Sequence, residues 1–186
     1  MAELIERDES DNLIYNIGTN ADPKWEKIGK RIKKYLLWGS LQLPIDENPA
    51  AYFTFMFQIP RKITVAGGII DAIPSYYILD ELSATLSEGF EGKLKEFCRK
   101  YHIDHFLGEP GNDLLLNQLR KSAGLKFQVI DEAEAALDNI NLTIDTWSAR
   151  RNEDNQPVLN IRKDCTFFFE GHQPAKRAMR NLLIYF

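Results

Sequence analysis

Tyr52-Phe53-Thr54-Phe55-Met56-Phe57-Gln58-Ile59 is the stretch whose reading decides the fold. Aromatic and β-branched side chains dominate it, and a short apolar run of this kind reads as a buried strand. Pro60-Arg61-Lys62 reads as a turn, and Ile63–Ile70 as a second strand whose Gly67-Gly68 pair suggests a bulge or a close approach. Asp71–Ser75 turns the chain again, and Tyr76–Leu82 is a third strand. Connections this short join antiparallel neighbours, so the middle of the chain reads as a meander.

Downstream the rhythm alternates. Phe90–His102 carries Phe90, Leu94, Phe97, Cys98 and Tyr101 on one helical face. Ile103–Gly108 is a strand, Asp113–Ala123 a helix with Gly124 as its C-cap, and Leu125–Ile130 another strand. Ala133–Arg150 reads as a longer helix with Leu137, Ile140, Ile144 and Trp147 inward. Val158–Ile161 is a strand, Cys165–Phe169 a short strand or helix, and Ala175–Tyr185 a final helix docked by Met179, Leu182 and Leu183. Strand–helix–strand units imply parallel pairing through right-handed crossovers.

Upstream, Glu3–Asn20 is polar and reads as a flexible arm with a strand at Leu13–Ile17. Asp22-Pro23 has the form of an N-cap and first helical residue. Trp25, Ile28, Ile32, Tyr35 and Leu36 then recur at helical spacing, which makes Pro23–Leu37 an amphipathic helix. Trp38–Pro49 holds Gly39, Pro44 and Pro49 and reads as a connector.

The 186 residues carry 44% hydrophobic and 27% charged side chains and a net charge of -4. This suits one soluble domain and does not by itself point to nucleic acid. Cys98 and Cys165 are too few and too far apart for a disulfide framework, so a reducing compartment is expected. Met1–Ser10 is too acidic for a signal peptide, and no apolar run approaches a membrane span. These features predict a cytoplasmic protein with no membrane partner. Walker, Gly-x-Gly-x-x-Gly and Gly-x-Ser-x-Gly patterns do not occur.

One carboxylate has a telling address. Ile103–Gly111 is a strand that runs into Glu109, followed by a Pro-Gly break and a helix from Asn112. An acid at the carboxyl end of a strand beside a helix start suits a catalytic or metal-binding group. It equally suits a charge stabilising a helix N-terminus by about 0.3–1 kcal/mol. Asp113 reads as a first-turn helix acid.

From about Ala51 to the end, the chain resembles the nuclease domain of the phage terminase large subunit. Tyr76-Tyr77-Ile78-Leu79-Asp80-Glu81-Leu82 looks like that family's third strand. The helix ending Phe97-Cys98-Arg99-Lys100-Tyr101, the Asp113-Leu114 to Leu119-Arg120 helix, Gly124-Leu125 and Asn139–Trp147 follow in the same order. The resemblance implies an α/β, ribonuclease H-like mixed sheet with strand order 3-2-1-4-5. Three antiparallel strands would continue into parallel βαβ units, with an N-terminal helical extension over residues 1–50 and the nuclease-like domain over 51–186. It also implies Mg²⁺- or Mn²⁺-dependent cleavage of double-stranded DNA by a two-metal mechanism. Acids would converge from the first strand, the fourth strand and the last helix.

Carried over residue by residue, Glu109 fills the fourth-strand position. The first-strand acid corresponds to Gln58, and the Asp-Ala-x-Arg-Tyr start of the last helix corresponds to Arg177-Ala178-Met179-Arg180-Asn181. A shifted register, with Ile63–Ile70 as first strand, supplies Asp71 instead. Asp80 and Glu81 lean toward the site from the third strand. Three readings follow. The leading one is a terminase-nuclease-like protein of DNA packaging or processing, with weak or lost cleavage. It would contact DNA or phage packaging proteins through Arg61, Lys62, Arg177 and Arg180. The second is an active endonuclease using Asp71 or Asp80 with Glu109. The third is a protein-interaction domain unrelated to DNA. The lysines and arginine of Lys24–Lys34 could bind phosphate or form a solvated helix face. His102, His105 and His172 lack ligand spacing.

Overall fold

The computed structural model describes residues 5–28, 37–42, 50–86, 89–101, 103, 105–108, 113–124, 126–129 and 140–185. Its centre is a six-stranded mixed sheet, and a three-stranded sheet packs beside it. The small sheet consists of β1 (Ile5–Arg7), β2 (Leu13–Asn16) and β3 (Trp25–Lys27), all antiparallel. The main sheet contains β4 (Leu37–Gln42), β5 (Ala50–Val65), β6 (Gly68–Thr85), β7 (His105–Gly108), β8 (Lys126–Val129) and β9 (Leu159–Ile161). Their order is β8-β7-β4-β5-β6-β9. β4, β5 and β6 are mutually antiparallel, while β7 joins β4, β8 joins β7 and β9 joins β6 in parallel.

Five helices complete the described chain: α1 (Phe90–Tyr101), α2 (Asp113–Ala123), α3 (Ile140–Ala149), α4 (Thr166–Phe169) and α5 (Gln173–Tyr185). One face of the sheet buries Phe53, Phe55, Phe57, Leu79 and Phe106 against Phe90, Leu94 and Tyr101 of α1 and Leu116 and Leu119 of α2. Ile5, Leu13 and Ile28 of the small sheet join this cluster. The other face buries Met56, Ile78 and Leu107 against Ile144 and Trp147 of α3 and Met179, Leu182 and Leu183 of α5. Alternating strand positions feed the two cores, as the two-residue side-chain period requires.

The described helices downstream of residue 89 follow the sequence pattern, and residues 133–139 of the helix predicted over Ala133–Arg150 lie outside the described residues. Gly124 takes φ +67° and its N–H reaches Arg120 O, which closes α2 as a C-cap glycine does. The strands differ more. The meander of three strands is two very long ones, turning at Ala66-Gly67 rather than at Pro60-Arg61-Lys62 or Asp71–Ser75. Pro60 sits at a register shift between Ile59 and Arg61, where a missing N–H is tolerated. Asp71–Ser75 lies inside β6.

The supposed connector after Trp38 begins with a strand, β4, between β5 and β7. Gly39 marks a close approach rather than a turn: a Cβ there would lie 2.3 Å from Phe53 Cε2 and 2.8 Å from Phe106 Cδ1. Taken from β6 to β8, the order is the expected 3-2-1-4-5, but β4 holds first place, β5 second and β6 third.

The N-terminal segment also departs from expectation. Trp25–Lys27 is a strand, not the start of a helix, and residues 29–36 of that predicted helix lie outside the described residues. The Asp22-Pro23 signal belongs to a turn. Asn16 Oδ1 accepts the N–H groups of Gly18 (2.9 Å) and Lys24 (3.0 Å), and Thr19 Oγ1 accepts that of Asp22 (3.0 Å). Nor is the stretch before it a free arm, since Ile5 and Leu13 are buried.

Candidate functional site beneath the last helix

Asp71 and Asp80, two of the acids predicted for a metal site, do not meet. Asp71 is exposed on the projecting β5–β6 ribbon, opposite Lys62. Asp80 lies nine positions farther along β6, about 30 Å at strand rise. Its carboxylate accepts the Tyr101 hydroxyl at 2.6 Å and Arg7 Nη2 at 3.3 Å, on the α1 face. Glu109 directly follows Gly108, the last residue of β7, and is outside the described residues. Gln58 belongs to the second strand of the sheet and pairs with Tyr76, so it does not take the first-strand position.

The basic residues divide similarly. Arg61 is committed within the chain. It pairs with Glu153 at 2.9 Å and with Asp154, and Glu153 also accepts the Ile73 N–H at 3.0 Å. The Ile73 amide, with the Arg61 guanidinium beside it, holds the Glu153 carboxyl below its usual range. Lys62 is exposed on the ribbon and Arg177 half-buried on α5. Arg180 is only 2% exposed, and its Nε and Nη2 donate to Asn181 Oδ1 at 3.1 and 2.9 Å. It faces the protein interior, which corrects its expected role as a surface contact to DNA.

What the fold assembles instead is a buried polar layer under α5. Leu41 joins the aromatic core and Gly39 abuts Phe53 and Phe106, so Ser40 and Gln42 of β4 face the opposite side. Ser40 pairs across the sheet with Thr54, and Gln42 with Tyr52. α5 packs on β4 and β5. Ala175 and Ala178 lie against Tyr52, while Met179, Leu182 and Leu183 enter the core around Met56. Arg180 and Asn181 lie among those anchors in the sequence of α5, while Ser40 and Thr54 pair on the sheet. All four, with Gln42, are buried. Thr54 Oγ1 donates to Asp80 O at 2.8 Å. Ser40 Oγ has no hydrogen-bond partner among the described residues.

Glu81 borders this layer on β6. It accepts the Tyr52 hydroxyl and, at 2.6 Å, the Phe167 N–H at the start of α4. Burial raises the Glu81 carboxyl above its ordinary value, and burial together with Glu81 raises the Tyr52 phenol. On the other face, Arg7 reaches Asp164 at 3.0 Å as well as Asp80, and Arg162 donates to Asp164 at 3.2 Å and to Ile5 O at 2.6 Å. Neither Ser40 nor Arg7 was legible as a site residue, because a strand was read as a connector and another as an arm.

A magnesium-type ion requires carboxylate oxygens. Among the described residues of β4 and α5, the buried polar groups are a hydroxyl, amides and a guanidinium, a donor set that does not fit such an ion. Among the described residues, no group of three or more His, Cys, Asp or Glu could hold a metal. Cys98 and Cys165 are buried free thiols. No helix among the described residues is long and apolar enough to cross a membrane.

No protein-family model matches the chain, and no curated protein matches it in sequence. Among solved structures, the fowlpox virus Holliday junction resolvase is similar at TM-score 0.43 and 9% identity, covering 81% of this chain and 96% of that one.

Proposed function

We propose that this chain is a ribonuclease H-like, terminase-nuclease-like protein of DNA processing that contacts DNA without cutting it efficiently. The β6-β5-β4-β7-β8 order supports the fold reading. The observation that carries the loss of cleavage is β4 itself. The strand in first position presents Ser40 and Gln42 where a two-metal nuclease needs a carboxylate. Glu109 follows β7 in the sequence, and among the described residues no group of three or more His, Cys, Asp or Glu gathers that could hold a metal ion. DNA contact falls to exposed lysines such as Lys62, with Arg61 paired to Glu153 and Asp154 and Arg180 buried.

Two assays test this. Supercoiled plasmid in Mn²⁺ stays uncut, while duplex binding weakens steeply with added salt. Lys62→Ala lowers affinity for all sequences alike and reduces the salt slope by about 1. Manganese-dependent nicking that disappears in Glu109→Ala overturns the reading in favour of the active endonuclease. The ribbon favours a second reading, a protein-interaction domain, because Ile69 is 70% exposed at its tip with Ile70, Ile73 and Val65 nearby. Absent duplex binding at any salt concentration selects that one.

A further inference from the structure

We infer that the outer edge of β6 at the tip of the β5–β6 ribbon, Gly68–Ala72, pairs with the same edge of a second copy of this chain. The two ribbons then join into one antiparallel sheet about a two-fold axis. The inference goes beyond the DNA reading and does not rest on it.

The state of the edge comes first. β9 covers β6 at Tyr76–Ile78, and the Glu153 carboxylate takes the Ile73 N–H at 3.0 Å. From Gly68 to Ala72 no strand runs along that edge among the described residues. Every second residue there turns its N–H and C=O outward, which makes a template for one more strand. Soluble proteins guard such edges with lysine, proline or a bulge. Gly68-Ile69-Ile70-Asp71-Ala72 holds neither lysine nor proline, and the ribbon's register runs unbroken from the Arg61–Ala72 pair to the Val65–Gly68 pair. Its side chains are apolar and open: Ile69 is 70% exposed, Ile70 48% and Val65 40%. Opposed residues share a face, so Ile63, Val65 and Ile70 lie together, and Lys62, Thr64, Ile69 and Asp71 take the other face.

The occupant that suits this edge is the edge itself. A two-fold axis perpendicular to the ribbon must pass through a residue pair, because opposed side chains share a face. Centred on Ile70, the axis sets Ile70 against the partner's Ile70, Ile69 against the partner's Asp71 and Gly68 against the partner's Ala72. The apolar face of one ribbon then continues into the other, and no like charges stand opposite. Lys62 and Asp71 oppose each other, so residues 62–72 carry no net charge in a chain of net charge -4. Two copies therefore meet where their mutual repulsion is least. Both Lys62 side chains stay on one face of the joined sheet. The contact is smaller than a standard interface, which places it in the weak class, with Kd on the order of 100 µM.

Sedimentation of the full chain tests this. The mean mass is near 21.4 kDa at about 10 µM and climbs toward twice that value as concentration nears about 1 mM. Ile70→Lys sets two ammonium groups opposite each other and weakens association by about tenfold or more. Leu114→Lys, at an 86% exposed position on α2, associates as the wild type does. A short bismaleimide links Ile70→Cys into a dimer but not Leu114→Cys, and the native Cys98 and Cys165 are buried. Amide exchange across Gly68–Ala72 slows as concentration rises. A mass that stays at the monomer value throughout overturns the inference. So does association that Ile70→Lys leaves intact, equal linking of Leu114→Cys, or growth past the dimer, since a two-fold contact closes on itself. Should Ile70→Lys not fold, the wild-type series and the Ile70→Cys linking still decide.

Discussion

Asp80 and Glu81 are neighbours on β6, and the sheet sends them to opposite faces with opposite treatment. Asp80 goes to the α1 face, where Arg7 and Tyr101 hold it, with Asp164 and Arg162 in the same network. Glu81 goes to the α5 face, where, among the described residues, uncharged donors meet it: the Tyr52 hydroxyl and backbone N–H groups of α4. Burial tends to lift the Asp164 carboxyl, but hydrogen bonds from Arg7 and Arg162 prevail and hold it low, whereas Glu81 is pushed up by burial. The difference teaches that acids at strand positions in this chain serve the fold. One face uses its charges to dock the small sheet, and the other buries Arg180 on α5.

The largest effect should come from the face closed by aromatic contact. Gly39→Ala sets a methyl against the Phe53 and Phe106 rings in the middle of the sheet. Overpacking of this kind costs about 3 kcal/mol, a Tm drop of roughly 6–12 °C for a chain this long. A wild-type Tm in that variant, measured by calorimetry, would mean that β4 is not clasped between β5 and β7, and the two-face description would go with it.

Arg7→Met probes the ion-paired carboxylates. It leaves Asp80 with Tyr101 and Asp164 with Arg162, at an expected loss of about 2 kcal/mol. That is discounted from a fully buried pair because the Arg7 side chain is 25% exposed. Combining it with Asp80→Asn should show coupling of about 1 kcal/mol. The Asp164 carboxyl is held below its ordinary 3.8, so its contribution is present above that pH and is lost as pH falls through the lower folded value. Arg7→Met should flatten this acid-side loss. Additive single and double variants would show the network to be a set of bystanders.

These features were unequally legible. α1, α2 and α5 were readable because period-3.6 apolar patterns and the Gly124 cap are local signals, and local signals do not depend on partners. β4 was hidden because Leu37–Gln42 is short, holds a glycine and precedes Pro44; what makes it a strand is the pair of neighbours that sandwich it. The β5–β6 turn was misplaced because Pro60 is a strong breaker signal that a bulge absorbs. The strand before Glu109 was readable, whereas first place in the sheet was given to the wrong strand, and moving it to β4 replaced Gln58 by Ser40 and Gln42. The resemblance carried the strand order, which no periodicity could supply.

The smallest effect isolates Glu81. Its folded pKa lies above the ordinary 4.5, so the folded state keeps the proton to a higher pH than the unfolded chain does. Stability linked to this group is therefore fully present below pH 4.5 and declines as pH rises through the folded value. Glu81→Gln removes the ionisation while preserving shape. Its amide oxygen can accept the Phe167 N–H, and its amide nitrogen can donate to the Tyr52 oxygen, whose hydroxyl then turns away. At pH 7 the variant should unfold at a slightly higher temperature than wild type, by under about 1 kcal/mol because the group is only half-buried and water screens it. Below pH 4.5 the two curves should converge. A variant that is less stable at neutral pH would show that the ionised carboxylate is a net asset on the α5 face. The contrast between Asp80 and Glu81 would then be one of partners only, not of energy.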